Sequence, residues 1–300
     1  MTTSERGLHG WLVIDKPPGI TSARAVALVK RATAAKVGHA GTLDPLATGV
    51  LPLALGEATK TMPCIAHARK QYRFRLRWGI ATDTDDGEGR VVGESAARPS
   101  AAAIGAALPG LTGAILQRPP PYSAIKLAGR RSYALARAGR PPELAGRPVV
   151  VFELRLLAAA DPDHADFAAV VGEGTYIRAL ARDLAAALGT FGHIVALRRL
   201  AVGRFTEEQA IPLETAVSLG HSLGRSAHLL PLETALDDIP ALAVTAEDAA
   251  RLRHGQRVMP RCVPAGIADG ALLGAWHERH VVALARIEAG ALRPVRIILT

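Results

Sequence analysis

From Gln71 to Ile80 the chain alternates without a break: Tyr72, Phe74, Leu76, Trp78 and Ile80 fall on one parity, Gln71, Arg73, Arg75, Arg77 and Gly79 on the other. This period of two predicts a strand with one apolar face and one arginine face, successive arginines standing about 6.6 to 6.8 Å apart. Such a ladder either faces water or tracks phosphates. Trp11-Leu12-Val13-Ile14 is a continuous apolar run that predicts a short buried strand, stopped by Asp15-Lys16-Pro17-Pro18-Gly19. Thr21 or Ser22 then caps a helix reaching about Thr33, with Lys30 and Arg31 in its last turn, where the helix dipole favours cations. A second helix follows from Ile177, Leu180, Leu184 and Leu188, which recur at helical spacing up to Gly189, a glycine placed to serve as C′; it carries Arg178 and Arg182 along one edge. Leu197 to Gly203 predicts another strand. Ser95 to Val150 is rich in alanine, proline and basic residues, and a helix is expected after Gly129-Arg130-Arg131-Ser132-Tyr133, ending at Gly139. Around Leu230 to Pro240 the composition shifts to proline, leucine and acid, which divides the chain into residues 1–235 and 236–300. In the second part Thr245 and Asp248 start a helix stopped by Gly255, and strands are expected near 271–276, 281–287 and 295–299.

Composition narrows the class. With 300 residues, 49% of them hydrophobic, the chain can bury a sizeable core. Its 36 Lys plus Arg against 27 Asp plus Glu give a net charge of +9, which suits a polyanion, nucleic acid ahead of an anionic membrane. The N-terminal residues lack the pattern of a secretory signal, and no apolar run approaches the roughly 18 to 20 residues of a bilayer span. A cytoplasmic location is therefore expected. Cys64 and Cys262 stand far apart without CxxC or histidine at ligand spacing, so neither a disulfide framework nor a zinc site is indicated.

The chemistry concentrates in Val37-Gly38-His39-Ala40-Gly41-Thr42-Leu43-Asp44-Pro45-Leu46-Ala47-Thr48-Gly49-Val50-Leu51, a polar loop pinned by three glycines and closed by an apolar run. Its only carboxylate is Asp44. From the residues alone two readings stand: Asp44 caps a helix that Pro45 begins, or the glycines and Pro45 hold a reactive carboxylate with little slack. The long run Gly-His-Ala-Gly-Thr-Leu-Asp-Pro-Leu-Ala-Thr-Gly-Val-Leu closely resembles the nucleophile motif of the TruB-type tRNA pseudouridine synthases, in which the aspartate is catalytic. Other segments resemble the same family. Lys16-Pro17-Pro18-Gly19 is similar to its Lys-Pro-x-Gly turn, which supports the active-site loop and puts Lys16 near the substrate. Lys70-Gln71-Tyr72 matches its Lys-x-Tyr motif, implying that Tyr72 stacks on the target base. Gly174-Thr175-Tyr176-Ile177-Arg178 matches a motif whose tyrosine lines the uridine pocket and whose arginine is aimed at the aspartate, keeping it ionised. The match departs just upstream, at Val171-Gly172-Glu173. By the same resemblance Leu197 lies against the base, and His39 fills the space that a flipped base vacates. Pro121-Tyr122-Ser123-Ala124-Ile125-Lys126 resembles an RNA-facing segment of the family.

Thr82-Asp83-Thr84-Asp85-Asp86-Gly87-Glu88-Gly89 could suggest calcium, but the fifth position from Asp83 is Gly87 and no glutamate closes a loop of EF-hand length. A hairpin loop is the expectation, and the family's Thr-Asp-Thr-x-Asp-x-x-Gly segment implies loop-ordering roles for Asp83 and Asp86. There is no GxxxxGK[ST] and no HExxH, His277-Glu278-Arg279-His280 having two intervening residues. The resemblance thus implies an isomerase that needs neither metal nor cofactor, acts on the T-arm uridine of tRNA at position 55, and flips that base out of its stack. The implied fold is α+β, a pseudouridine synthase fold with a mixed or antiparallel sheet flanked by helices, followed by a small β-rich PUA-like domain. Nothing points to an obligate protein partner, and a monomer is the expectation. Two rival functions remain: a non-catalytic RNA-binding protein on the same basic surface, and a metal hydrolase built on Asp83, Asp85 and Asp86.

Overall fold

In the computed structural model, which describes residues 7–123, 125–127, 130–140, 142–261 and 266–299, the first apolar run becomes β1 (Gly10–Lys16), with Trp11 to Ile14 fully buried. Thr21 rather than Ser22 caps α1 (Ser22–Thr33), its hydroxyl accepting the Arg24 N–H. β2 (Val37–His39) pairs antiparallel with β3 (Thr48–Leu55), His39 opposite Leu53, and the chain between them holds Asp44.

β4 (Lys70–Trp78) has the two faces that its alternation predicts: Phe74, Leu76 and Trp78 are buried, and Gln71, Arg73, Arg75 and Arg77 are exposed. Ile80 leaves that strand, because Gly79 turns the chain at φ 83° and Ile80 begins β5 (Ile80–Thr82). β5 pairs with β6 (Val91–Glu94) around the acidic segment, the hairpin expected there. The stretch from Ser95 to Val150 proves more regular than its composition suggests, and it holds the helix expected before Gly139. It contains α2 (Ala101–Ala107), β7 (Gly113–Gln117), the short strands β8 (Lys126–Leu127) and β9 (Arg130–Arg131), and α3 (Ser132–Arg137). Then come β10 (Arg147–Asp161), β11 (His164–Val171), α4 (Ile177–Ala187) and β12 (Gly192–Val202). Gly189 follows α4 at φ 70°, as a C′ glycine does.

Contacts divide the chain into two compact units, one of Asp44 and the chain before it with Val50–His67 and the chain from Arg204 onward, the other of Pro45–Gly49 and Ala68–Gly203. In the second unit the strand order is β12-β4-β11-β10-β7, every neighbour antiparallel. β3 joins β12 in parallel at its first two residues, Thr48 opposite Arg198 and Gly49 opposite Arg199. On the buried face Phe74 stacks on Phe167 at 5.1 Å, Trp78 meets the Phe167 edge at 6.4 Å, and α4 packs its buried residues Ile177, Leu180 and Leu184 against the sheet.

The first unit adds β13 (Phe205–Thr206), β14 (Ile211–Pro212), α5 (Leu213–Leu219) and β15 (Leu229–Leu230). β14 lies parallel to β1 and β15 antiparallel to it, and Phe205 packs on Trp11 at 4.9 Å. Further along the same unit, β16 (Ala241–Ala243), α6 (Ala246–Arg253), β17 (Leu272–His277), β18 (His280–Glu288) and β19 (Ala291–Ile297) form a four-stranded sheet in the order β16-β17-β18-β19. They enclose their own core, with Leu242, Leu252, Leu273, Val282 and Leu292 at its centre. Thr245 caps α6 as expected, accepting the Asp248 N–H. The last strand begins earlier than the sequence suggests, since Leu292 is a core residue, and β16 is too short for a period to reveal.

Candidate active site

The Asp44 loop is shaped by backbone contacts. The chain bends at Pro45 and Leu46 and enters β3 at Thr48 without forming a helix, so Asp44 is not a helix cap. Leu43, immediately before it, is held at both backbone groups by one hydroxyl: Ser22 Oγ accepts the Leu43 N–H at 2.8 Å and donates to the Leu43 C=O at 3.1 Å. Both residues are buried, at 1% and 3% exposure. Ala40 N–H donates to Pro52 O at 3.0 Å. Of the three loop glycines, Gly38 is part of β2, whereas Gly41 and Gly49 take φ 82° and 97°. At Gly49 a Cβ would stand 2.2 Å from Arg199 O, a clash with backbone that no side chain survives. Asp44 itself is half-buried. Ser22→Ala is expected to destabilise the fold by about 1 to 3 kcal/mol, because it strands two buried backbone groups. A urea midpoint equal to that of the wild type would show that the clamp contributes nothing.

Lys16 is fully buried at the end of β1, and its Nζ donates to Pro17 O and Ile20 O, both at 2.8 Å. Those contacts tie the Pro17 to Ile20 turn, which makes Lys16 a support of the turn rather than an exposed cation offered to substrate. His39 is half-buried on β2.

In the second unit, Tyr72 is half-buried on β4, opposite Arg199 of β12 and Ala169 of β11. Leu197, on β12 opposite Phe74, lines an open cavity of about 540 Å³ with Leu46, Thr48, Phe74 and Phe167, and with Arg73, Arg75 and Arg198 at its wall. Tyr176 precedes α4 and Arg178 lies in its first turn. Arg178, on the helix edge that also carries Arg182, is only 3% exposed, so it is not a solvated side chain. Its guanidinium donates to Thr84 O at 2.8 Å and Tyr122 O at 2.9 Å, and meets Asp86 Oδ2 at 3.4 Å. Arg182, one turn on, donates to Asp85 Oδ2 at 2.9 Å and to Arg118 O at 2.7 Å. The acidic hairpin thus meets guanidinium groups at Asp85 and Asp86, while Asp83 accepts the Arg90 N–H. Burial pushes the Asp85 carboxyl above the usual range against the pull of Arg182 and Arg178.

Matching family models show which family the chain belongs to. Residues 29–177 match the TruB family pseudouridylate synthase N-terminal domain, and residues 178–237 match the tRNA pseudouridylate synthase B C-terminal domain. The chain belongs to the TruB family of pseudouridylate synthases. A Rhodospirillum rubrum protein named tRNA pseudouridine synthase B is 51% identical over 306 residues, covering 99% of this chain and 99% of that protein. One of the same name from Nitrobacter winogradskyi is 53% identical, covering 98% of this chain and 83% of its own length. Among solved structures, a chain of a Cbf5-Nop10-Gar1 complex is 26% identical with a TM-score of 0.77, covering 97% of this chain and 85% of that one. A chain of an H/ACA RNP bound to a substrate RNA containing 2'-deoxyuridine superposes with a TM-score of 0.77 at 24% identity, over 100% of this chain and 88% of its own, a likeness of fold. The fold is the pseudouridine synthase fold, α+β, with a separate small β sheet at the C-terminal end.

In this TruB-family chain sequence reasoning missed two supports. Ser22 carried a signal: Thr21 and Ser22 are both capping residues, a helix has one N-cap, and the surplus hydroxyl must bond elsewhere. Gln117, whose side-chain amide bonds the Tyr176 backbone, carried none, because nothing local marks a bond across 59 residues. Cys64 is partly buried, and burial pushes its thiol up to about 11, the behaviour of an inert side chain. Cys262, Ala124 and Gly129 lie outside the described residues. Among the described residues no group of three or more His, Cys, Asp or Glu could hold a metal ion, and no helix is long and apolar enough to cross a membrane.

Proposed function

We propose that this chain isomerises uridine to pseudouridine at position 55, in the T-arm loop of tRNA, with Asp44 as the nucleophile. The observation that carries the reading is the Asp44 loop: a family motif whose one carboxylate follows a backbone clamped by Ser22. The uridine leaves its stack at a cost of a few kcal/mol. Stacking on Tyr72 returns about 1 to 3 kcal/mol, Tyr176 and Leu197 line the base pocket, and His39 fills the vacated space. Asp44 acts as the carboxylate. The C1′–N1 bond breaks, the uracil turns, and C1′ bonds to C5, whose proton leaves as N1 gains one, so no atom is added or lost. Arg178 is the arginine of the family motif that serves the aspartate, with Asp86 as its own anchor. The reaction needs no metal or organic cofactor. Residues 1–235 make up the catalytic part and 236–300 an RNA-binding module of PUA type, and the enzyme works in the cytoplasm as a monomer.

The test is mass-spectrometric detection of pseudouridine in a uridine-containing tRNA transcript, with and without EDTA. Product at position 55 in both samples is expected. Tight binding without product would leave an RNA-binding protein, and activity lost in EDTA but restored by Mg²⁺, with tRNA folding unchanged, would overturn the metal-free mechanism.

Binding is expected to weaken with salt as arginines release counterions from the RNA. Arg75 is already held by Asp166 through two 2.7 Å hydrogen bonds. Arg73→Gln is therefore expected to reduce the log K against log[salt] slope by about 0.7 to 0.9, the share of one phosphate contact, and Arg75→Gln to leave it unchanged. Equal slopes for Arg73→Gln and wild type would make that face merely solvated.

A further inference from the structure

Gln117 ends β7 with its side chain fully buried, and its amide engages one residue, Tyr176. Oε1 accepts the Tyr176 N–H at 2.8 Å, and Nε2 donates to the Tyr176 C=O at 3.2 Å. Because the backbone offers one donor and one acceptor, only this orientation of the amide satisfies both. Tyr176 is extended, at φ −103° and ψ 118°, so its N–H and C=O point the same way, as they would toward a neighbouring strand. The glutamine amide takes the place of that strand.

Tyr176 is also the N-cap of α4, and its own side chain makes no capping bond. Directly opposite Gln117 in the β7–β10 register stands Arg147, whose Nη2 donates to Gly174 O at 2.5 Å and whose guanidinium lies over the Tyr176 ring at 5.2 Å. Two facing strand residues thus grip the segment, one by the Tyr176 backbone and one by its ring. Arg178 follows two residues later.

We propose that Gln117 is a positioning residue for the isomerisation: by locking the Tyr176 backbone it fixes both the Tyr176 ring and the first turn of α4, which carries Arg178. This rests on the assignment of Tyr176 and Arg178 to the reaction. A two-point amide clamp matters here because misplacing a reacting group by about 1 Å can cost a factor of about 100 in rate.

Gln117→Met keeps the length and apolar packing of the side chain but removes both hydrogen bonds. Its single-turnover rate on bound tRNA transcript is expected to fall by about 10- to 100-fold, with the dissociation constant for tRNA within about threefold of wild type. Gln117→Glu supplies the distinguishing signature. As a carboxylate the new group accepts the Tyr176 N–H but cannot donate to the C=O; once protonated it does both, and burial raises the pH at which it protonates. The rate of Gln117→Glu relative to wild type is therefore expected to climb as pH falls from 8.5 to about 6, a pH dependence that a purely structural role would not produce. A folded Gln117→Met protein turning over within twofold of wild type, or a Gln117→Glu profile parallel to wild type over that range, overturns the proposal. Wild-type enzyme is assayed alongside: if it makes no pseudouridine, the functional reading itself fails, whereas active wild type with an equally active Gln117→Met removes the positioning role alone.

Discussion

Asp44→Asn is expected to abolish pseudouridine formation while changing tRNA affinity by less than about tenfold, or roughly 1.4 kcal/mol. Asparagine keeps the size of the side chain but removes both charge and nucleophile, and no other carboxylate lies in the loop. The backbone contacts at Leu43 and Ala40 and the conformations of Gly41 and Gly49, which shape the loop, do not involve the atoms changed. Binding is expected to survive, since phosphate contacts and stacking are spread over many residues. Circular dichroism establishes the fold first. Folded Asp44→Asn protein converting uridine at near wild-type rate would move the chemistry elsewhere, with the acidic hairpin next in line.

Arg178→Met is expected to cost about 3 to 5 kcal/mol of stability, the penalty for leaving one partner of a buried ion pair alone. Asp86 is only 4% exposed, and Thr84 O and Tyr122 O would lose their donor as well. Those acceptors diverge from one guanidinium, and a single ammonium cannot reach them in the same planar geometry. Arg178→Lys is accordingly expected to retain most of the fold but only part of the rate. Urea denaturation and single-turnover kinetics on the same preparations separate the two effects. In the pair Arg178→Met and Asp86→Leu, the double variant is expected to lose less than the sum of the singles, because it leaves neither charge of the pair buried without the other. Additive losses would mean that the 3.4 Å pair is not coupled.

The sequence by itself determined those features whose cause is local. β4 is legible because burial on one face of a strand imposes a period of two, and α4 because burial on one side of a helix imposes a period near 3.6. The caps of α1 and α6 are legible because a hydroxyl or carboxylate bonds to a backbone N–H within its own turn. The Asp44 loop is legible through its long family motif, because its glycines and Pro45 alone left a helix cap open. Tertiary structure alone decided the rest. Ser22 reaches Leu43 across 21 residues, Gln117 reaches Tyr176 across 59, and Arg178 reaches Thr84 across 94. No periodicity encodes such bonds, since each depends on where two unrelated segments come to lie. The same cause hid the fate of the charges: a pattern of arginines reads alike whether water surrounds it, as at Arg73, or a buried carboxylate meets it, as at Arg178, and only the packed chain distinguishes the two.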